Sequence, residues 1–452
     1  MATTLEQETD RDVPRAGPSP WLGLVVALVL MALAPLVPLV TGWDVRARTR
    51  PEGTFPPLNA LWEPHVGLLS VPVVALAVLG WRYAFTVAAV LPWRRLLITS
   101  YAAGLVWMLT LAWVDGPEGI SGVLGHWSEI LPVARETDDV AAMLGEFVSR
   151  ISYSASPDNW PTHVAGHPPG ALLFYIGLVR IGLGGDLAAG LAVTALGATT
   201  TVAVLVTLRT LGAEAAARRA APFLVLGPTA VFMAVSNDAV FAAVAAWGLA
   251  ALALAATSAG RACVGWSMLA GLLLGWLVML SYGLPLIGLV ALAVLVAARS
   301  WRPLPIAAAA ALAVVLAFVP AGFVWWEALP VLRERYYDGV AGIRPATYWG
   351  WGNLAALCFS AGPLAGAGIA RLGALRGHAD RAVAMLVTGA VAAVVVADLS
   401  FMSKAEVERI WLPFCPWLVI SVALLPERWR RWGLALQLAV AIAVQHLLST
   451  RW

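Results

Sequence analysis

Long apolar runs separated by short polar clusters recur along the whole chain. They fall at roughly 21–42, 65–81, 96–114, 168–184, 187–208, 221–236, 239–258, 264–281, 284–298, 304–324, 352–370, 382–400, 411–425 and 432–449. A bilayer core takes about 20 apolar residues per helix. Inside lipid every backbone N–H and C=O must pair internally, which leaves helices or closed barrels. These runs lack the in–out alternation of a barrel strand. The pattern therefore predicts an all-α polytopic integral membrane protein with about 12–14 transmembrane helices and large outer loops. No stretch is long and polar enough for a separate soluble domain, and no period of about 20–50 residues marks a repeat array.

The polar remainder divides the chain. Residues 1–20 are polar and of mixed charge, without the charged start, apolar core and small-residue cleavage site of a signal peptide. They are expected to stay attached and cytoplasmic. Residues 21–95 hold two N-terminal spans. Residues 96–425 form the main body, with non-membrane segments at 115–167, 325–351 and 400–408. Residues 426–452 supply a cytoplasmic loop and a last span.

Composition sharpens this picture. Apolar residues make up 60% and charged residues 12% of the 452 positions, with mean hydropathy +0.81, which excludes a water-soluble globule. A net charge of +3 without a basic stripe gives no reason to expect nucleic acid. Cys263, Cys358 and Cys415 lack metal-type spacing and read as free thiols. Lys404 is the single lysine against 28 arginines, a usage that suggests a GC-rich, actinobacterial-type genome.

Arginine placement gives an orientation. Clusters at Arg82, Arg94 and Arg95, at Arg209, Arg218 and Arg219, at Arg261, at Arg299 and Arg302, at Arg371, Arg376 and Arg381, and at Arg428, Arg430 and Arg431 are expected to be cytoplasmic. The stretch from Asp115 to Pro161 holds eight acids and two arginines and is expected outside. Two conflicts accompany this assignment. Arg46, Arg48 and Arg50 fall outside, and two full spans between residue 167 and Arg209 would put that cluster outside as well. One of 168–184 and 187–208 should therefore be short or re-entrant.

Four constellations could carry chemistry. Asp115 ends an apolar run, ahead of Gly116, Pro117 and Glu118. A carboxylate at a membrane edge suits general-base work or metal binding, although alone it more often just marks where a helix meets water. His163 and His167 stand four apart before Pro168-Pro169-Gly170 and a further apolar run. Imidazoles there suit phosphate contact or proton transfer, and proline suits a first helical turn. Lys404, Glu406, Glu408 and Arg409 crowd the mouth of a run carrying Pro413 and Pro416. They could line a cavity or clamp a lipid phosphate, or form a salt-bridged interfacial loop. Ser236-Asn237-Asp238 reads as an ordinary polar turn. The 22 tryptophans mostly mark span ends.

In this order the four elements resemble the GT-C superfamily. These are membrane glycosyltransferases that take sugar from polyprenyl-phosphate donors, protein mannosyltransferases and lipid A aminoarabinose transferases among them. Such enzymes place an acid after a membrane helix at the start of a long outer loop, then a His/Lys-Pro-Pro helix entry. A short Asp-containing outer turn and a charged segment before a Pro-x-x-Pro helix follow. The matching positions are Asp115 with Glu118, His167 to Gly170, Asn237-Asp238, and Lys404 to Pro416. Residues 271–285 are similar in pattern, with Tyr282 where many members carry a polar or basic residue. The resemblance covers roughly residues 96–425. Two departures stand out: the loop acid is not a tidy acidic pair, and Gly170 replaces the usual Leu.

The resemblance implies a sugar transferred from a polyprenyl-phosphate donor to a cell-envelope acceptor hydroxyl. The expected setting is the outer face of the bacterial plasma membrane. It implies Asp115 and Glu118 as catalytic acids, with His167, Lys404 and Arg409 on the donor phosphate. It implies His163, Asn237, Asp238, Tyr282, Arg335, Arg344, Glu406 and Glu408 around the substrates. A divalent cation, Mg²⁺ or Mn²⁺, is a candidate cofactor with no ligand set legible. The rival functions are a multi-pass transporter, which would carry ionisable residues at span centres, and a lipid-linked glycan flippase or ligase.

Overall fold

The computed structural model of the protein describes residues 19–48, 53–375, 377 and 379–450. The sequence expectations for residues 1–18, Arg50 and Arg376 lie outside them. The described chain is almost wholly helical. In chain order the principal helices are α1 (Pro20–Thr41), α2 (Ser70–Val90), α3 (Trp93–Ala112), α4 (Pro169–Arg180) and α5 (Asp186–Thr210). There follow α6 (Glu214–Leu226), α7 (Asn237–Thr257), α8 (Gly260–Val278), α9 (Ile287–Ala298) and α10 (Leu304–Ala317). The chain closes with α11 (Ala346–Ser360), α12 (Pro363–Leu375), α13 (Arg381–Leu399), α14 (Cys415–Val419) and α15 (Glu427–Leu447).

Eight of these, α1, α2, α3, α5, α7, α8, α10 and α13, are long and apolar enough to cross a membrane, and the bent pair α11–α12 would make a ninth. The protein is thus an all-α polytopic membrane protein, with fewer full-length spans among the described residues than the fourteen apolar runs suggest. Proline and glycine account for the difference. The run at 168–184 becomes α4, which starts at a Pro-Pro pair and is 12 residues, about 18 Å, long. Gly227-Pro228 splits 221–236, Pro285 sits in a 3₁₀ turn ahead of α9, and Gly362 (φ 79°) with Pro363 bends 352–370 by 104°. Because α4 is too short to cross and α5 is 25 residues long, the Arg209 cluster lies at the opposite end of the bundle from residues 115–167. The conflict in span counting disappears.

Local chemistry sets the helix ends. Ser19 Oγ accepts the Trp21 N–H at 3.2 Å, Pro20 takes the first helical position, and Gly42 closes α1 with φ 68°. Ser236 caps α7 by accepting the Asp238 N–H at 3.2 Å. Asn237-Asp238 is therefore the first turn of a helix rather than a free turn. In lipid, helices associate through close backbone approach. Gly271 and Gly275 of α8 lie against Ala307 and Ala311 of α10, and Gly23 of α1 against Gly366 of α12. Helix α7 is the inner helix, packed against α5, α8 and α9, with 83% of its apolar window buried.

The three long polar segments meet at one end of the bundle. Arg335, in the Trp325–Asp338 helix, donates to the carbonyls of Ile151 (2.5 Å) and Trp160 (2.8 Å). Tyr337 donates to the Phe401 carbonyl at 3.1 Å. The N-terminal segment joins them: Arg344 donates to the carbonyls of Arg46 (3.0 Å) and Ala47 (3.3 Å), and Arg48 to that of Asn59 (3.1 Å). Arg46 is itself paired with Asp44 at 2.8 Å. Those off-pattern arginines are thus engaged within the same end. Leu61–Trp62 pairs antiparallel with Leu448–Ser449, so both flanking regions of the chain close on this end too. At the other end, Arg218 bonds Glu214 (2.8 Å) and the carbonyls of Ala88 (2.8 Å) and Leu91 (3.0 Å), and Arg381 the carbonyl of Val296 (2.7 Å). These arginines meet the exposed carbonyls at helix C-termini.

Candidate active site

Where the polar segments meet, a buried charge cluster forms around Arg409. The turn at 401–406 positions it. Ala405 (φ 71°) and Glu406 (φ 63°) are successive left-handed residues, a conformation costing on the order of 1–3 kcal/mol each. The turn is held by Asn353, whose amide donates to the Ser403 carbonyl (2.7 Å) and accepts the Ala405 N–H (3.2 Å). The reversal starts the short Val407–Ile410 helix and turns Arg409 inward, 6% exposed.

Three carboxylates face that guanidinium. Asp238 Oδ2 lies 3.3 Å from Nε, Glu406 Oε2 3.8 Å from Nη2, and Glu129 Oε1 3.9 Å from Nη1. Glu129 directly precedes the Ile130–Glu136 helix, whose Ile130, Leu131 and Ala134 are buried and hold the residue in place. Its other oxygen accepts from Asn237 Nδ2 at 2.9 Å, and the Tyr175 hydroxyl of α4 donates to Asn237 Oδ1. His163 Nε2 lies 3.4 Å from Glu129 Oε1, and His163 Nδ1 3.4 Å from Arg409 Nη2. A guanidinium only donates, so Nδ1 accepts and the imidazole proton sits on Nε2, facing Glu129. His167 Nδ1 donates to the His163 carbonyl at 2.6 Å, with its ring 5.4 Å from Phe241 of α7.

Burial sets the electrostatics. It raises the Glu129 carboxyl above the ordinary glutamate range, with Arg409 and Asn237 opposing. It presses His163 down to about 4, reinforced by Arg409, and lowers His167, so both imidazoles are neutral at pH 7. Burial acts to raise Glu406, but Arg344 and Arg409 outweigh it and hold the carboxyl low. The result is a neutral histidine, an ionised acid and an acid of raised proton affinity on one cation, the arrangement in which acid–base roles separate.

Of the candidates singled out from the sequence, the structure brings together His163, Asn237, Asp238, Glu406 and Arg409, with His167 behind them. It adds Glu129, Tyr175 and Asn353. Glu129 is one of eight acids in its segment. The available signal was its place at the start of a short amphipathic helix. The remaining candidates sit elsewhere. Asp115 pairs with His65 Nε2 (2.9 Å) and accepts from Gln445 Nε2 (2.9 Å), tying the end of α3 to the N-terminal segment and α15. Glu118 is exposed at the start of a single turn, Glu118–Ser121. Lys404 Nζ donates to the carbonyls of Ala341 (3.1 Å) and Arg344 (3.3 Å), and Arg344 to that of Lys404. These two cations brace the loops. Arg335 does the same against residues 151–160. The Tyr282 ring lies tilted against that of Trp325, 5.7 Å between centroids, and its buried hydroxyl has no hydrogen-bond partner among the described residues. Gly170 has a steric reason, since a side chain there would strike the backbone of Met279.

The Mg²⁺ or Mn²⁺ expectation meets no prepared cage: among the described residues no three His, Cys, Asp or Glu side chains converge in metal-holding geometry. Arg409 occupies the space between the carboxylates.

Glu408 is fully buried, and its Oε1 accepts the Asn59 N–H at 2.8 Å, fastening the N-terminal segment beside the site. Burial pushes its carboxyl up to about 7. A folded-state value above the unfolded one means that this group stabilises the fold below about pH 4.5 and that the contribution is lost as pH rises through 7. Glu408→Gln keeps the acceptor and removes the charge. The variant should lose part of the alkaline decline in thermal stability between about pH 5 and 8. It should also exceed wild type at the alkaline limit by about 2–3 kcal/mol, read as a Tm difference in lipid nanodiscs.

No protein-family profile matches this chain, and no curated protein matches it. Among solved structures it is similar to ArnT from Cupriavidus metallidurans in the apo state. The identity is 21% and the TM-score 0.46, over 74% of this chain and 60% of that one. The chain thus spans less than two thirds of that protein's length.

Proposed function

We propose that the protein is a membrane glycosyltransferase of the GT-C type, moving a sugar from a lipid-linked donor to an acceptor hydroxyl. The observation that carries this reading is the buried cluster of Glu129, Asp238 and Glu406 on Arg409, with an apolar groove along the same helix α7 that bears Asp238. The groove, about 450 Å³, is lined by Phe174 of α4, Leu196 of α5, Val240, Val244 and Trp247 of α7, and Leu273 of α8. Val240 lies one turn beyond Asn237, and Phe174 is next to Tyr175, which supports a groove that runs along α7 from the turn that bears the cluster. An acyl or prenyl chain fits such a wall, at about 0.8 kcal/mol for each buried CH₂. A charged head at the membrane edge with its tail in lipid is what this layout suits.

In this reading the acceptor O–H gives its proton to Glu129 as the oxygen bonds the anomeric carbon. The bond from that carbon to the donor phosphate breaks, and the phosphate leaves with the electron pair. No enzyme-bound sugar is needed. Asp238 and Glu406 accept sugar hydroxyls. Arg409 and the positive end of α7, where Asn237 and Asp238 begin the helix, meet the leaving phosphate. The arginine-rich opposite end supports a cytoplasmic assignment for that end, with the cluster facing outward at the plasma membrane.

The test is native mass spectrometry of protein purified in lipid, with polyprenyl-phosphate sugars of several sugar classes added. Wild type should retain one, and the retained mass gives the sugar class. Val244→Trp, which fills the groove, should cut retention at least about tenfold while costing no more than about 1–3 kcal/mol of stability. Failure to retain any donor would remove the reading.

A further inference from the structure

Tyr175 lies far enough along α4 that no sugar-handling role was assigned to it, yet its phenol is buried, 1% exposed, among apolar neighbours. A buried phenol needs an acceptor, and here that is Asn237 Oδ1. Asn237 is 3% exposed and its amide nitrogen in turn donates to Glu129 Oε2 at 2.9 Å. On the far side the His163 Nε2–H faces Glu129 Oε1, and Arg409 donates toward His163 Nδ1. Every member of this chain of groups therefore donates toward Glu129. The amide of Asn237 could in principle be turned the other way, but its oxygen would then face a carboxylate. The Tyr175 hydroxyl, donating, fixes the productive orientation.

We propose that Tyr175 is a positioning residue that sets the direction of the Asn237 amide and through it keeps the amide N–H on Glu129 Oε2. This deepens the glycosyltransfer reading, since it concerns the same acid, but it rests on the network and not on the reaction. Without the phenol, Asn237 Oδ1 is a buried acceptor with no donor, and only the repulsion between that oxygen and Glu129 is left to keep the amide nitrogen on the carboxylate. A carboxylate loses part of its stabilisation when a donor is removed, so its proton affinity rises.

The test is an infrared difference titration of the full-length protein in lipid vesicles. It follows the C=O stretch of a protonated carboxyl group, with the Glu129→Gln variant identifying the band. Tyr175→Phe, which keeps the ring, should move the midpoint of that band upward by about one pH unit, a tenfold gain in proton affinity. Asn237→Leu should move it further. The double variant should match Asn237→Leu alone, because Tyr175 acts only through Asn237. A merely structural role for Tyr175 would lower stability without moving the midpoint. An unmoved midpoint in Tyr175→Phe overturns the proposal, and so does an additive shift in the double variant. The arms are independent of donor chemistry. Shifted midpoints in a protein that binds no sugar donor would keep the relay and discard the glycosyltransferase. Unmoved midpoints in an active transferase would do the reverse.

Discussion

If the protein transfers sugar as proposed, Glu129→Gln should lower that transfer by about 10²–10⁴-fold, the usual contribution of a positioned general base, whereas Asp115→Asn should cost far less. The substitution keeps the size of the side chain but removes the proton acceptor. It also sets an amide against Asn237 Nδ2 and His163 Nε2, both of which donate toward this position. The proposed seat of the lipid tail is the groove along α7, so donor retention should persist while turnover falls, separating kcat from KM. Asp115 sits outside the Arg409 cluster. Bonded to His65 and Gln445, it ties the end of α3 to the segment that pairs with the end of α15. The measurement is release of labelled sugar to the acceptor from a polyprenyl-phosphate donor, with both variants reconstituted at equal protein. Loss of transfer in Asp115→Asn with activity kept in Glu129→Gln would reverse the assignment and return the base to the end of α3.

Arg409→Met destabilises the fold by about 3–5 kcal/mol, the range for breaking a buried ion pair from one side. The guanidinium faces Glu129, Asp238 and Glu406, and these acids come from three separate parts of the chain. Its removal leaves buried carboxylates without their cation. They respond by taking up protons, so their folded-state proton affinities rise. The sign follows from linkage: the folded variant then binds more protons than the unfolded chain, and its stability falls as pH rises. The Tm deficit should therefore be largest under alkaline conditions and shrink toward acid. Asp238→Asn in the Arg409→Met background should recover part of the loss. Arg409→Lys should be intermediate, because an ammonium holds its three donors on one nitrogen and cannot spread them across the span of a planar guanidinium to reach three separated carboxylates. A deficit that does not change with pH would mean that the carboxylates are neutral in the native protein.

Much of this architecture is legible in the order of residues. The apolar runs predict a helical membrane protein because a bilayer tolerates few other backbones. The three polar segments at 115–167, 325–351 and 400–408 stand out against such runs, and His163, Asp238, Glu406 and Arg409 can be singled out as charged or titratable residues at run edges. The number of full-length spans was harder to read, because hydropathy counts apolar residues and is blind to whether Pro168-Pro169, Gly227-Pro228 or Gly362-Pro363 interrupts the helix. Composition alone cannot separate a 12-residue α4 from a membrane-crossing helix.

The membership of Glu129 in the charge cluster is equally hard to read from the chain order. Asp115 is conspicuous in one dimension, at the end of a long apolar run, and Glu129 is one of several acids in a polar segment. Which of them meets Arg409 depends on a chain reversal at Ala405-Glu406, held by Asn353 from another helix, and on how the Ile130–Glu136 helix buries its apolar face. Local composition against a bilayer is enough to set the solvent of the fold, its helical class and the end-to-end separation of arginine-rich from acid-bearing segments. The tertiary structure alone decided which charges share a buried site. Pairing among Glu129, Asp238, Glu406 and Arg409 joins residues up to 280 positions apart in the numbering. Its energetics depend on burial and distance, which no local pattern encodes.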